Sequence, residues 1–196
     1  MKAIKKLALT AALLTIGGTM SACTAFESFN EVESLNNAQA VGSPFTQSLA
    51  NEYRVYANNQ LKDMFDYPDA LHFARKGLAA ASGEAVLPEP VADWNLSEAH
   101  IQELGAARGR LIVAYDFGAR EVSPELAALT QAKFDCWIEE QEETWQDSAP
   151  RCKAEFFDAL NQLEANLQAP AIIEEPSATP FSVDASAPMA VENAMY

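Results

Sequence analysis

The segment EEQEETW, residues 139–145, contains four acids, and its candidate binding residues are Glu139, Glu142, Glu143 and Trp145. In a helix Glu139 and Glu143 share one face, because residues four apart are neighbours on the helix surface. With Trp94 from an upstream loop, these side chains could line an acidic groove between helices that binds a basic peptide or a cation. The simpler alternative is a solvated acidic helix face without a ligand.

Residue types used in catalysis are present, but their spacing matches no catalytic motif. His72 and His100 lack the neighbours that a metal site needs, and the sequence has no glycine-rich phosphate loop, nucleophile elbow or HExxH pair. Asp69 and His72 are three apart on a predicted helix, where a surface hydrogen bond explains them better than acid–base chemistry. We therefore predict no enzymatic activity, no cofactor and no metal site.

The first 22 residues have the composition of a secretory signal peptide. Lys2, Lys5 and Lys6 precede an apolar stretch over 7–18, and small residues follow it. This stretch is too short for a permanent transmembrane helix, whereas a basic start and a short apolar region are typical of export signals.

Met20-Ser21-Ala22-Cys23 resembles the lipobox of bacterial lipoproteins. The resemblance implies a diacylglycerol on the Cys23 thiol, cleavage before Cys23 and acylation, for example with palmitate, of the new amine. Several acyl chains give stable anchoring where one does not. Thr24 stands where an Asp would favour inner-membrane retention, so the resemblance predicts the periplasmic face of the outer membrane. The alternative is a plain secreted protein with an incidental cysteine.

Cys136 and Cys152 are the cysteines that remain after lipidation of Cys23. Export would place them in an oxidising compartment, where cysteines form disulfides. They lie on two consecutive predicted helices, so a bond between them would join a helical hairpin. Two unpaired core thiols are the alternative.

The composition limits the classes of function. A net charge of −15 repels nucleic acid and anionic lipid headgroups, which makes nucleic-acid binding a poor hypothesis. The 49% of hydrophobic residues is enough to form a core, so the chain is not disordered throughout.

The hydrophobic pattern predicts an all-α fold of about five antiparallel helices in a bundle or a solenoid-like packing. The predicted helices begin at Ser43, near Pro68, at Ser97, at Ser123 and near Ser148. The proline-containing loop over 84–96 carries apolar residues and is expected to lie on the domain. The spacing of Gly105 and Gly109 suggests a close helix crossing. The predicted regions are the signal peptide over 1–22, a lipidated tether over 23–42, the helical domain over 43–168 and a disordered Pro/Ala-rich tail over 169–196.

The segment from Phe134 to Leu160, with its Cys-Trp pair, acidic run and second cysteine before an aromatic helix, resembles part of the N-terminal helical region of OmpA-family outer-membrane lipoproteins. The segment from His72 to Leu96 is similar to the region upstream of it. In that family a Pro/Ala-rich linker leads to a peptidoglycan-binding domain, for which residues 169–196 are too few. The resemblance therefore does not support peptidoglycan binding here.

The sequence thus predicts a non-enzymatic outer-membrane lipoprotein that organises the cell envelope or helps to assemble an envelope complex. Its expected partners are the membrane, through the N-terminal lipid, and other envelope proteins. The alternative is a periplasmic binding module that uses the acidic groove.

Overall fold

A computed structural model describes residues 24–143 and 151–168, and within these residues the fold is all-helical. The seven α-helices are α1 (24–37), α2 (Pro44–Asn59), α3 (Tyr67–Ala81), α4 (Glu98–Asp116), α5 (Ala119–Val122), α6 (Pro124–Glu142) and α7 (Arg151–Gln168). A π-helical turn, Gln60–Met64, extends α2, and a 3-10 turn, Val91–Asp93, lies in the loop before α4. The predicted helical class is confirmed, but the described residues contain more helices than the five expected.

Helix α1 accounts for one of the additional helices, because the sequence analysis assigned its residues to a tether. Ser28, Val32 and Leu35 of α1 are all buried. A Cβ atom added to Gly77 of α3 would come within 2.6 Å of a Leu35 methyl carbon, so α1 and α3 cross closely at this glycine. Residues 24–37, which lie in the predicted tether, thus form a helix that packs on the helical domain.

The predicted crossing at Gly105 and Gly109 is wrong. Both glycines are exposed on α4, and an added Cβ at either position would meet no atom within 4 Å. The close helix contact at a glycine occurs instead at Gly77, where side chains of Leu35 and Tyr53 pack against α3.

Helix starts were predicted well where a polar side chain precedes the first turn. Ser43 accepts a hydrogen bond from the Thr46 amide, and Ser97 accepts one from the His100 amide. Ser123 was expected to cap α6 in the same way, but it ends α5 and its side chain accepts no amide of α6. Its hydroxyl instead accepts a hydrogen bond from the Asn166 side chain of α7 at 3.0 Å.

The core lies between α2, α3 and α6, and α7 packs on the other side of α6. Its largest fully buried side chains are aromatic: Trp137, Tyr53, Phe45, Phe73, Phe134 and Phe156. The rings of Phe134 and Trp137 on α6 pack against Phe156 on α7, with centroids 5.6 and 5.7 Å away. The loop over 84–96 packs on this core through the buried residues Pro88 and Glu89, as expected from its apolar content.

A disulfide joins Cys136 of α6 to Cys152 of α7, with Cα atoms 5.8 Å apart. It lies beside the aromatic contact between the same two helices, so the covalent bond and the packing hold one interface. Residues 1–23, 144–150 and 169–196, which include Cys23, Trp145 and the predicted tail, lie outside the described residues.

Removing this disulfide is expected to weaken the domain without unfolding its helices. For the Cys136→Ala/Cys152→Ala variant, we expect a loss of about 2–4 kcal/mol in the free energy of unfolding, since the open chain gains conformational entropy. Denaturant unfolding followed by circular dichroism measures the loss, with helical signal retained below the new midpoint. A reductant should destabilise the wild type and leave the stability of the variant unchanged. Equal stability of the wild type, the reduced wild type and the variant would contradict a disulfide in the exported protein.

Candidate functional site

The carboxylate of Asp135 on α6 is completely buried and lies at the centre of a polar network. Its Oδ2 atom accepts hydrogen bonds from the Tyr53 hydroxyl of α2 at 2.5 Å and from Lys76 Nζ of α3 at 2.7 Å. Its Oδ1 atom accepts from the backbone amide of Glu89 at 2.8 Å. Three separate segments therefore converge on one buried charge.

Glu89 brings the loop over 84–96 into this network. Its Oε1 atom is 2.5 Å from Lys76 Nζ and 2.9 Å from His72 Nε2, both on α3, and its Oε2 atom accepts from Trp94 Nε1 at 3.3 Å. On the other side of the loop, Arg108 of α4 donates to the carbonyl oxygens of Pro88 and Glu89. The loop is thus fixed through both its side chains and its backbone. We call Tyr53, His72, Lys76, Glu89 and Asp135 the Asp135 network.

Gln131, one turn before Asp135 on α6, extends the contacts to α4. Its Nε2 atom donates to the Tyr53 hydroxyl at 2.9 Å and to the Val86 carbonyl at 3.1 Å. Its Oε1 atom accepts from the Tyr115 hydroxyl of α4 at 3.0 Å. The network and Gln131 together link α2, α3, α4, α6 and the loop.

Burial and pairing compete in setting the charges of this network. Burial raises the pKa of Asp135, while the Lys76 ammonium acts in the opposite direction. Burial would also raise the pKa of Glu89, but the His72 hydrogen bond and the Lys76 charge lower it to about 2. The hydrogen bond to Glu89 raises the pKa of His72 against the effect of burial. Lys76 therefore lies between two carboxylates, with His72 at the solvent edge.

The arrangement ties the loop over 84–96 to α3 and α6. Lys76 and Asp135 are almost or fully enclosed, and His72 packs edge-on against the rings of Phe73 and Trp94. The predicted hydrogen bond between Asp69 and His72 is wrong, because His72 turns instead toward Glu89. The polar groups of the Asp135 network are used to hold the loop on the helices.

The residues predicted to line an acidic groove make different contacts in the structure. Trp94 bonds to Glu89, while Glu142 Oε1 accepts from the Asn95 amide at 2.6 Å, so two of the predicted residues help to hold the loop. Glu139 is 3% exposed and accepts from the Tyr56 hydroxyl and from Gln60 Nε2. Glu139 therefore does not lie on a solvated helix face.

Glu143 lies close to Asp66 and Asp69. We call these three residues the acidic cluster. One carboxylate oxygen from each lies within 4.8 Å of the others, a separation that could accommodate a cation. Burial, together with the nearby charges of Asp66 and Glu143, raises the pKa of Asp69 to about 6. Cys136, Glu140 and Cys152 are also close together, but the two sulfurs form the disulfide and are not available as thiolate ligands.

A largely apolar groove of about 660 Å³ lies between α4 and α7, and the sequence analysis did not identify it. Val113 of α4 and Phe117, the residue that caps the end of α4, are 51% and 75% exposed along it, and Leu167 of α7 forms the opposite side. The four-residue spacing of Val113 and Phe117 could have indicated an apolar helix face here, but the same spacing also occurs on buried faces, so it does not distinguish an exposed groove from the core.

Comparisons of this chain with protein-family models, curated protein sequences and solved structures found no match. Within the described residues, no helix has both the length and the apolar character needed to cross a bilayer. The resemblance to the OmpA-family region therefore stays a prediction from the sequence.

The Asp135 network predicts that Lys76→Met will be strongly destabilising. The variant leaves two buried carboxylates facing each other, so we expect a loss of about 3–5 kcal/mol in the free energy of unfolding, measured with denaturant. Lys133→Met is the matched control. Lys133 pairs with Glu155 at the surface, where an ion pair contributes about 0–1 kcal/mol. Similar losses in the two variants would contradict the structural role of Lys76.

The burial of Glu139 predicts that stability falls as the pH rises. Burial and repulsion from Glu143 and Asp69 raise the pKa of Glu139 to about 8, so the folded state keeps a proton that the unfolded state releases at lower pH. The stabilisation from this proton on Glu139 is complete below the pKa of the unfolded state and is lost as the pH rises through about 8. The expected loss is on the order of 3 kcal/mol between about pH 5 and pH 8.

Glu139→Gln tests this dependence, because glutamine keeps the size and polarity but does not titrate. Unfolding curves across the same pH range should be flatter for Glu139→Gln than for the wild type. Glu33→Gln, at an exposed position of α1, is the control and should retain the wild-type slope. An unchanged slope in Glu139→Gln would show that other groups determine the pH dependence.

Proposed function

We propose that this protein is a lipid-anchored helical module at the periplasmic face of the outer membrane, without enzymatic activity. Its role would be to organise the envelope or to support the assembly of an envelope complex. We take its helices to pack as an antiparallel bundle, as the hydrophobic pattern of the sequence predicts.

The Cys136–Cys152 disulfide is the observation that carries this proposal. Disulfides persist in oxidising compartments and are rare in the cytosol, so the bond between α6 and α7 supports export. Export in turn supports the interpretation of residues 1–22 as a signal peptide, and it gives Cys23 the setting in which a lipobox cysteine is acylated.

The polar interior supports a scaffold rather than a catalyst. His72, Lys76, Glu89 and Asp135 are the residue types from which acid–base sites are built, and here they contact one another beneath a loop. Catalytic groups need access to a substrate, whereas burial and mutual pairing suit groups that fix a backbone.

The groove between α4 and α7 supports a role in assembly. Large exposed apolar side chains such as Phe117 are unfavourable in water, and clusters of them mark surfaces for partners. Arg110 and Glu164 pair at 2.7 Å at the same groove, so an apolar surface is bordered by charge, as at many protein interfaces.

The alternative function, recognition of a basic peptide or a cation, has the acidic cluster as its candidate location. A bound positive charge would relieve the repulsion among Asp66, Asp69 and Glu143. Trp94 would not take part, because it contacts Glu89 and His72.

The proposal predicts that Cys23→Ser abolishes lipid attachment. Cells grown with labelled palmitate should incorporate label into the wild type and into Ser21→Ala, which keeps a small residue before Cys23. Cys23→Ser should carry no label and should leave the membrane fraction, because it lacks the acyl chains that provide binding. Label and membrane partitioning in Cys23→Ser would overturn the lipoprotein proposal.

A further inference from the structure

Four large apolar side chains are exposed at the end of the domain where α1 begins. Phe26 and Phe29 of α1 are 69% and 52% exposed, and Met64 and Phe65, between α2 and α3, are 46% and 67% exposed. We call these four side chains the α1-end patch. Their solvent exposure is unfavourable in an isolated domain, since apolar area in water costs free energy.

Contacts between α1 and Tyr67 bring the two parts of this patch together. The Ser28 hydroxyl donates to the Tyr67 carbonyl at 2.6 Å, and the rings of Phe29 and Tyr67 have centroids 6.0 Å apart. Phe65 lies two residues before Tyr67. The patch is therefore built on a fixed contact between α1 and the start of α3.

The backbone of Phe65 is unusual for an exposed residue. Its φ angle is +59°, and it is the one non-glycine residue with positive φ in the described part of the chain. The left-handed conformation costs a residue with a Cβ roughly 1–2 kcal/mol, and glycine or asparagine adopts it more easily. This conformation ends the π-helical turn, where the Phe65 amide donates to the Gln60 carbonyl, and the aromatic side chain stays exposed without burial in the domain.

The position of the patch indicates its partner. The described part of α1 starts at residue 24, the residue after Cys23, so Phe26 and Phe29 lie within two helical turns of the proposed acylation site. Val32 and Leu35 fix α1 to the core, and Arg54 donates to the carbonyls of Leu35 and Ala38. A lipid at Cys23 would therefore hold this face of a rigid domain beside the bilayer.

We propose that the α1-end patch rests on the bilayer into which the Cys23 lipid inserts, an inference that depends on the lipoprotein proposal. Aromatic and apolar side chains partition into the headgroup region, so they would orient the domain while the acyl chains provide the affinity. The charge of −15 and the nearby Asp63, Asp66 and Asp69 favour zwitterionic over anionic lipid. The predicted surface is therefore rich in phosphatidylcholine-like or phosphatidylethanolamine-like headgroups.

The test uses the lipidated full-length chain in phosphatidylcholine vesicles that contain a nitroxide-labelled lipid. A fluorophore is attached at Phe65→Cys, and the matched control carries it at Phe117→Cys, a position that is 75% exposed just after α4. Flotation with the vesicles reports the anchor, and quenching of the fluorophore reports the orientation. We expect both proteins to float and quenching to be severalfold stronger at position 65. Phe26→Ser/Phe29→Ser should reduce that quenching while flotation is kept, and replacing part of the lipid with phosphatidylglycerol should reduce it as well.

The possible failures have different meanings. If neither protein floats, the lipoprotein proposal fails and this inference fails with it. If both float but quenching is absent or equal at the two positions, the anchor stands and the orientation is wrong. If the fluorophore at position 65 is shielded without lipid quenching and the shielding grows with protein concentration, a second copy covers the patch and the bilayer is not its partner.

Phe65→Asn separates membrane contact from folding. Asparagine adopts the left-handed conformation readily, so we expect the thermal midpoint in detergent to be unchanged or higher. The hydrogen exchange of amides 24–29 on vesicles should nevertheless become faster than in the wild type. A lower midpoint together with unchanged exchange would show that Phe65 serves the fold, which would overturn its assignment to the bilayer surface.

Discussion

The enclosure of the Asp135 carboxylate constrains much of the domain. A charge without water is costly unless ion pairs and hydrogen bonds replace the hydration, and a buried carboxylate left alone would destabilise the fold. Tyr53, Lys76 and the Glu89 amide provide that replacement from α2, α3 and the loop over 84–96. All three contacts must be present at once, because the loss of one leaves part of the carboxylate charge without a partner. The position of the loop is thus a consequence of the charge on α6.

Helix α6 differs from an ordinary surface helix because polar side chains point into the interior along it. Gln131, Asp135 and Glu139 follow one another at four-residue intervals, and all three are buried. Gln131 contacts Tyr53 of α2 and Tyr115 of α4, and Asp135 contacts Tyr53 and the Glu89 amide of the loop. Glu139 contacts Tyr56 and Gln60, at the end of α2 and the start of the π-helical turn. Apolar packing by Phe134 and Trp137 adds α7, and the disulfide closes the same interface. Helix α6 therefore makes the polar contacts with α2, α4 and the loop as well as the apolar contact with α7.

The surface divides in a manner consistent with the proposed location. Apolar side chains are exposed in the first described turns of α1 and along the α4–α7 groove, and the acidic cluster lies at the start of α3 and the end of α6, next to Phe65. A lipid at Cys23 would give the first of these surfaces a membrane, and the groove would remain accessible to a protein partner. A rigid interior suits this role, because two surfaces can be held in a fixed relation only if the domain between them does not deform.

The sequence by itself determined the helical class, the starts of α2 and α4, the attachment of the loop and the cysteine pair. These features depend on local chemistry: hydrophobic period, capping side chains, prolines and cysteine number. The packing of α1 on the helical domain, the crossing at Gly77, the turning of His72 toward Glu89 and the burial of Glu139 were decided by tertiary structure. The partners of Asp135 lie 46, 59 and 82 residues away along the chain. An acid in an acidic helix looks solvated until such distant partners enclose it, because burial is a property of the packed neighbours and not of the residue.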